Sequence, residues 1–327
     1  MSDITLRLAD LYTPIRADLA AVERVFDAEL VSDLPFVNQL CERVRSYRGK
    51  MLRPALLLLV GKETGGLKPE HHTLAAVVEM VHMATLVHDD VLDDADERRG
   101  RAPVNAVAGN VAAVLLGDYL ISHAFHLCSG LGSPEASRRI GAATNVVCEG
   151  ELLQNHHRGN AGLTEETYFR IVRDKTGALT AAACELGARY AGAGEGTVEA
   201  MRRYGESVGV AFQIADDVLD VLGDRHRVRK TLGKDLTLGK LTLPTLHCLN
   251  NASAATAARL RSAVEGRRSC ATDELRTWLE QTGSIDYAVG VAFEFVAEAR
   301  RQLECLLPGD GRSSLAALAE FIVERQF

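Results

Sequence analysis

The feature of this 327-residue chain most able to do chemistry is a run of carboxylates. Asp89-Asp90-Val91-Leu92-Asp93 is followed at once by Asp94, Asp96 and Glu97. If the run is helical, Asp89 and Asp93 stand one turn apart on one face, with Asp90 about 100° round from Asp89. Like charges four residues apart destabilise a helix, so the arrangement calls for a counter-charge. A hard divalent cation supplies one. Mg2+ takes one or two carboxylates, keeps waters, and completes its shell with substrate phosphate oxygens. Taken alone, such a run is ordinarily a solvated acidic helix end. Here it closes a strongly apolar segment, MVHMATLVH, and the same five letters recur 127 positions later as Asp216-Asp217-Val218-Leu219-Asp220, again behind an apolar stretch. Two pentads on facing helices would form opposite walls of one cavity, as in carboxylate sites built inside bundles, with a metal-bridged diphosphate between them.

Basic residues sit where that chemistry needs them. Gly49-Lys50-Met51-Leu52-Arg53-Pro54 places a lysine and an arginine three apart before a proline-marked helix. Arg98, Arg99 and Arg101 follow the first pentad, and Lys230, Lys234 and Lys240 follow the second. Arginine forks and lysine point charges suit phosphate oxygens. Each basic residue alone reads as a surface charge; their placement beside both pentads is the informative part.

The elements that must hold these groups read as helices. The eight prolines leave none between Pro134 and Pro244, room for several long helices in succession. Leu74, Val77, Val78, Val81, Thr85 and Val87 recur three and four apart and lead into the first pentad. Similar patterns cover Pro134 to His157, Thr164 to Tyr190, Thr197 to Leu222 and Ile285 to Leu307. Helix starts are marked by Ser133-Pro134-Glu135, Thr164-Glu165-Glu166-Thr167 and Thr272-Asp273-Glu274. No segment alternates long enough to argue for a strand. The expectation is one all-α domain over residues 1–327, an antiparallel helical bundle around a deep cavity. Two basic, glycine-broken segments, 98–104 and 223–241, are expected to be functional loops.

Composition narrows the function. With 47% apolar and 25% charged residues the chain is not disordered. A net charge of −7 gives it no global attraction for nucleic acid or anionic lipid. The seven cysteines are scattered and never form C-x-x-C, which argues against a disulfide framework or structural zinc and suits a reducing cytoplasm. The N-terminal MSDITLRLADLY lacks the pattern of a signal peptide. The most apolar stretch, Val107 to Cys128, is interrupted by Asn110, Asp118, Ser122 and His123, so no membrane span is expected. His71-His72 and His156-His157 are not spaced as zinc ligands and HExxH is absent. His88 abuts Asp89 and is expected to orient it; Glu149 and Gln154 are expected to face the cavity.

Taken together, GKMLRP, HMATLVHDDVLDDADERRG, DKTG, FQIADDVLD and GKDLTLGKLTLP resemble, in order and spacing, the trans-prenyltransferases or polyprenyl diphosphate synthases. The resemblance implies head-to-tail 1′-4 condensation of isopentenyl diphosphate onto an allylic diphosphate (geranyl, farnesyl or geranylgeranyl). It implies that Asp89, Asp90, Asp93, Asp216, Asp217 and Asp220 hold up to three Mg2+, with Mn2+ a possible substitute. Lys175, Lys230, Lys240 and Arg98 would hold the allylic diphosphate, and Lys50, Arg53, His82 and Arg99 the isopentenyl diphosphate. Thr176 and Gln213 would line the path of the allylic cation, with Phe212 packed near it. A homodimer is implied, with only transient membrane contact for product release. Where many relatives carry Thr-Gly-Lys, this chain has Val228-Arg229-Lys230, and its Glu324-Arg325-Gln326-Phe327 end lacks the basic terminus of some relatives. A class I terpene cyclase would carry a different second metal motif, and a non-catalytic partner subunit would tend to lose a pentad or its basic partners; neither pattern is present.

In this family the fourth and fifth residues before the first pentad point down the elongation tunnel, and aromatics there stop growth early. Here they are Ala84 and Thr85, both small, which predicts a product longer than C20, with Phe125 and Ile140 as candidate deeper stops. The Ala84→Tyr variant is expected to shorten the product in a chain-length assay. An unchanged length distribution would refute the tunnel assignment.

Overall fold

The computed structural model describes residues 8–46, 48–222 and 233–324. Among them the chain is helical throughout, with no strand; one isolated bridge joins Arg98 and Arg101. The chain divides into two compact units.

The first unit comprises Met1–Thr144, Leu179–Gly205 and Gln302–Leu318. It holds α1 (Arg16–Glu29), α2 (Pro35–Ser46), α3 (Leu52–Thr64), α4 (Pro69–Leu92), the short α5 (Val104–Ala108) and α6 (Asn110–Ser129). It also takes in the first part of α7 (Pro134–His156). Pro69 opens α4 at a position where its missing N–H costs nothing. The Lys68 backbone N–H donates to Nδ1 of His71, closing the helix start. His71 is fully buried, and its Nε2 lies 3.0 Å from the Gly187 carbonyl on α9 (Ala178–Ala191). Leu56, Leu57, Leu58 and Leu59 of α3 are buried on every side. At about 1.5–3 kcal/mol for each side chain removed from water, that run alone is a large part of the core.

Helix α6 packs along α4 through Ala113, Leu116, Leu120 and Ala124. Contrary to the expectation from its polar interruptions, α6 is long and apolar enough to cross a membrane by length and composition. The reason is that Asn110 falls at its first residue and Asp118 is its single charged carboxylate or cation. Its opposite face leaves Val111, Val114 and Leu115 exposed.

The second unit comprises Asn145–Ala178, Glu206–Arg301 and Ala319–Phe327. It contains α8 (Glu165–Val172), the latter part of α10 (Glu195–Leu222), α11 (Lys234–Thr237), α12 (Leu243–Asn251), α13 (Ala254–Val264), α14 (Thr272–Gln281) and most of α15 (Ser284–Gln302). The last helix, α16, runs Asp310–Glu324. Thr164 caps α8 as its sequence predicts, accepting from the Thr167 N–H at 3.2 Å. Thr272 instead occupies the first turn of α14, and Ala271 stands at the cap.

The helix expected over Thr164 to Tyr190 is interrupted by a π-turn, Arg173–Gly177, a feature that recurs at functional sites. Gly150 on α7 makes room for it. A Cβ at Gly150 would lie 2.6 Å from the Lys175 backbone nitrogen. Helix α15 stops at Gln302, where a 3-10 turn, Leu303–Cys305, replaces the expected last helical turn. All seven cysteines are free.

Candidate active site

Both pentads occupy the last turn of a long helix. α4 ends at Leu92 with Asp93 as its cap, the Asp93 N–H donating to the Asp89 carbonyl at 2.9 Å; α10 ends at Leu222, two residues past Asp220. Helix C-termini carry partial negative charge, so carboxylates there are doubly disfavoured until a cation arrives.

In the first pentad, Asp90 is buried, 1% exposed, and its Oδ1 accepts from Nε of Arg98 at 2.9 Å and from its Nη2 at 2.5 Å. Asn105 Nδ2 braces the same turn by donating to the Asp90 carbonyl at 3.1 Å. Arg98 and Arg101 exchange backbone hydrogen bonds of 2.8 and 3.1 Å around Arg99 and Gly100, both at positive φ. Segment 98–101 is therefore a tight turn of the hairpin type rather than an open loop. His88 does not orient Asp89. Its Nε2 lies 3.1 Å from the Val114 carbonyl on α6, in space left by Gly117.

Three non-glycine residues adopt positive φ among the described residues, Met51 (50°), Asp94 (44°) and Arg99 (53°). All three lie in the segments flanking the first pentad and the GKMLRP motif, where such strain is characteristic of ligand sites. Met51 turns the chain between Lys50 and the start of α3. A Cβ on Gly49 would fall 2.4 Å from Nη2 of Arg99, so the Arg99 guanidinium lies against the Gly49 backbone. Arg53, Arg99 and Arg48 surround Glu79, a fully buried carboxylate. Burial pushes the Glu79 carboxyl up, while the three guanidiniums pull it the other way. His82, one turn further along α4, has its pKa held well below the usual histidine value, first by burial and then by the positive charges of Arg53, Arg99 and Arg98. It is a neutral imidazole at physiological pH. The buried Nε of Arg53 has no hydrogen-bond partner among the described residues, a donor left for an anion. Arg53, His82 and Arg99 thus gather in one region, whereas Lys50 is exposed beside Met51. Glu79 and Arg48 were not anticipated, although a lone glutamate inside AAVVEMVHMATLVH was a readable signal.

The second unit carries a polar chain. Thr176 Oγ1 donates to Gln213 Oε1 at 2.8 Å, Gln213 Nε2 donates to Asp217 Oδ1 at 2.8 Å, and the Tyr168 hydroxyl donates to Asp217 Oδ2 at 2.6 Å. Both oxygens of Asp217 are thereby engaged, and the residue is 5% exposed. Burial, joined by the nearby Asp235 charge, pushes its carboxyl up to about 8 despite the two donors. The second aspartate of each pentad is therefore buried and hydrogen-bonded internally, Asp90 to Arg98 and Asp217 to Tyr168 and Gln213. Asp220 Oδ2 accepts from the Asp235 N–H at 3.2 Å, and its carbonyl accepts from the Gly233 N–H at 2.7 Å. This ties Gly233 and Asp235 to the pentad. Lys175, in the π-turn, donates to Gln154 Oε1 at 3.0 Å and pairs with Glu151. Gln154, expected to face the cavity, accepts from Lys175, and Glu149 is exposed; Glu151 and Tyr168 carried no recognisable signal. Lys240 is buried next to α12, its N–H donating to the Asp235 carbonyl. Phe212 and Asp216 are half-buried on α10. Lys230, with Val228 and Arg229, lies outside the described residues.

Of the expected length determinants, Ala84 and Ile140 are fully buried, while Thr85 turns its hydroxyl onto the His82 carbonyl at 2.8 Å. Phe125 lies 3.7 Å from the position a Cβ on Gly141 would take.

The donor set fits hard divalent cations. Each pentad offers only carboxylate oxygens, at the negative end of a helix, with arginine or lysine close by to receive phosphate.

Comparison with known proteins agrees. The family model for polyprenyl synthetase matches residues 35–282. The octaprenyl diphosphate synthase of Escherichia coli K12 is 35% identical over 309 residues, 94% of this chain and 96% of that protein. The crystal structure of a decaprenyl diphosphate synthase from Rhodobacter capsulatus superposes with a TM-score of 0.92 at 34% identity, covering 97% of this chain and 99% of that one. A polyprenyl synthase from Caulobacter crescentus CB15, solved with calcium and isoprenyl diphosphate, gives 0.93 at 33% identity over 98% of each chain. With its all-α isoprenoid synthase fold and its two aspartate pentads, the chain belongs to the polyprenyl synthetase family, prenyltransferases that use divalent metal ions.

Proposed function

We propose that this protein is an all-trans polyprenyl diphosphate synthase of the long-chain type, joining isopentenyl diphosphate head to tail onto an allylic diphosphate. The observation that carries the reading is the presence, in one chain, of a strained, arginine-rich region around buried Glu79 and His82 and of two aspartate pentads. The octaprenyl and decaprenyl names of its relatives, and the small Ala84, support a product longer than C20.

In this reading Asp89, Asp90 and Asp93 would hold two Mg2+, and Asp216 and Asp220 a third, with Mn2+ as a substitute. Ions held there would supply Lewis-acid polarisation of the allylic diphosphate and offset the charge of the leaving group. Arg98 has two tasks. It pairs with the Asp90 carboxylate, and with Lys175, Lys230 and Lys240 it offers positive charge to the departing diphosphate. Asp217, tied to Tyr168 and Gln213, acts through position. It sets the Gln213 carbonyl oxygen and the Thr176 hydroxyl along the path of the allylic cation, with Phe212 near it. Lys50, Arg53 and Arg99 clamp the isopentenyl diphosphate. Neutral His82 contributes a hydrogen bond without adding charge. The double bond of isopentenyl diphosphate attacks C1 of the cation, and a proton leaves C2 to give the trans product. The released pyrophosphate is the natural proton acceptor, since no histidine, lysine or carboxylate is assigned as base.

The chain is assigned to work as one catalytic domain in a homodimer; the exposed apolar side chains of α6 support a self-associating surface. Its seven free cysteines favour the cytoplasm. Product release needs only transient membrane contact, and nothing in its acidic balance invites nucleic acid.

Incubation with Mg2+, labelled isopentenyl diphosphate and geranyl, farnesyl or geranylgeranyl diphosphate is expected to give products longer than C20, resolved by chromatography. No incorporation with any primer would point instead to a non-catalytic subunit. The isopentenyl clamp has its own test. Gly49→Ala is expected to displace the Arg99 guanidinium and raise KM for isopentenyl diphosphate about tenfold, roughly 1.4 kcal/mol, with the allylic KM and Tm little changed. An unchanged KM would remove Arg99 from the clamp.

A further inference from the structure

Away from both pentads, one carboxylate and two imidazoles converge on a single point. Glu29 is the last residue of α1, and His123 and His126 lie three apart on one face of α6. Glu29 Oε1 accepts from His123 Nδ1 and from His126 Nδ1, each at 2.8 Å. One oxygen therefore receives two imidazole donors, and the three ligand atoms all lie within 4.8 Å of one another. The Tyr119 ring, one turn before His123, packs on its imidazole at 4.2 Å between centroids and fixes its orientation. Glu29 and His123 are mostly covered, whereas His126 is largely exposed, which opens the cluster to solvent on one side. Burial pushes the Glu29 pKa up, but the hydrogen bonds and charges of His126 and His123 outweigh it and bring it below the usual value.

The chemistry of this set differs from that of the pentads. Two nitrogens and one oxygen do not suit Mg2+ or Ca2+, which take oxygen shells. They suit a borderline divalent cation of the zinc class, for which His-His-carboxylate with a fourth position left to water is a recurrent arrangement. Bonds of about 2.0–2.1 Å in tetrahedral geometry set neighbouring ligand atoms about 3.3 Å apart. The two 2.8 Å contacts need open by only about half an ångström to reach this. Ligation uses the Nδ1 lone pair, so in the metal-bound form each imidazole would carry its proton on Nε2.

We propose that Glu29, His123 and His126 form a second cation site, selective for a zinc-class ion over Mg2+, which straps the end of α1 to α6. Because α6 packs along α4, the helix that ends in the first pentad, an ion here would stiffen the scaffold under that pentad without touching substrate. The site does not depend on the assigned activity, and its test does not read turnover.

The experiment titrates Zn2+ calorimetrically into the full-length protein in excess Mg2+, which keeps the carboxylate pentads occupied, and repeats this with His126→Gln and Glu29→Gln. The wild type is expected to bind one more equivalent of Zn2+ than either variant, or to bind that equivalent at least tenfold more tightly. Zinc-edge X-ray absorption should show imidazole nitrogen in the wild-type shell. Metal-free Tm values close to wild type establish that the variants fold, as the exposure of His126 leads one to expect. Identical isotherms for all three proteins would overturn the proposal and leave the triad as a hydrogen-bonded clamp between two helices. So would a zinc shell without imidazole.

Discussion

The constraint on which the rest of the site depends is electrostatic. Carboxylates four residues apart repel, and the C-terminal end of a helix adds partial negative charge to the same place. This chain makes that arrangement twice, at the ends of α4 and α10. A fold tolerates it only with internal counter-charges and with cations that enter with the substrate. The basic residues after each pentad follow from this need. Arg98 is the clearest case, since its guanidinium holds Asp90 within the protein while the hairpin-like turn at 98–101 keeps it there. Asp217 is handled differently. It is kept in place by neutral donors, Tyr168 and Gln213, and burial raises its carboxyl to about 8.

The strained backbone belongs to the same logic. Met51, Asp94 and Arg99 take left-handed conformations that cost a side chain energy, and all three flank or lie within the GKMLRP motif and the first pentad. Arg99 and Gly49 show how tight this region is, since a single methyl group on Gly49 would collide with the guanidinium. Glu79 lies buried among several of these arginines.

Much of this was legible from sequence because it lies in local patterns. The apolar periodicity into Asp89 marked its helix, and the duplicated pentad and the basic runs marked the residues proposed for the site. What sequence could not show came from contacts between distant positions. Tyr168 meets Asp217 across 49 residues, and Glu151 meets Lys175 across a turn of α7 packed on the π-turn. The interruption at Arg173–Gly177 is invisible to a pattern of period 3.6, because the extra residue in a π-turn does not alter which residues are apolar. Sequence adjacency suggests His88 as a partner for Asp89, yet side chains adjacent on a helix point about 100° apart, and it bonds Val114 instead. Helix α6 has the length and apolar composition of a membrane span although Asp118, Ser122 and His123 lie inside it, because one charged residue in twenty leaves its mean hydropathy high.

The central claim is that the aspartate pentads bind the allylic diphosphate through divalent ions rather than directly. It is tested most directly by calorimetry with an allylic thiolodiphosphate that resists ionisation, in Mg2+ and in EDTA, for the wild type and the Asp89→Asn, Asp93→Asn double variant. The account predicts that EDTA weakens wild-type binding by about 100-fold, roughly 2.7 kcal/mol. It also predicts that the double substitution has a large effect in Mg2+ and almost none in EDTA. Tight binding that survives EDTA, or a substitution effect of equal size with and without metal, would contradict it.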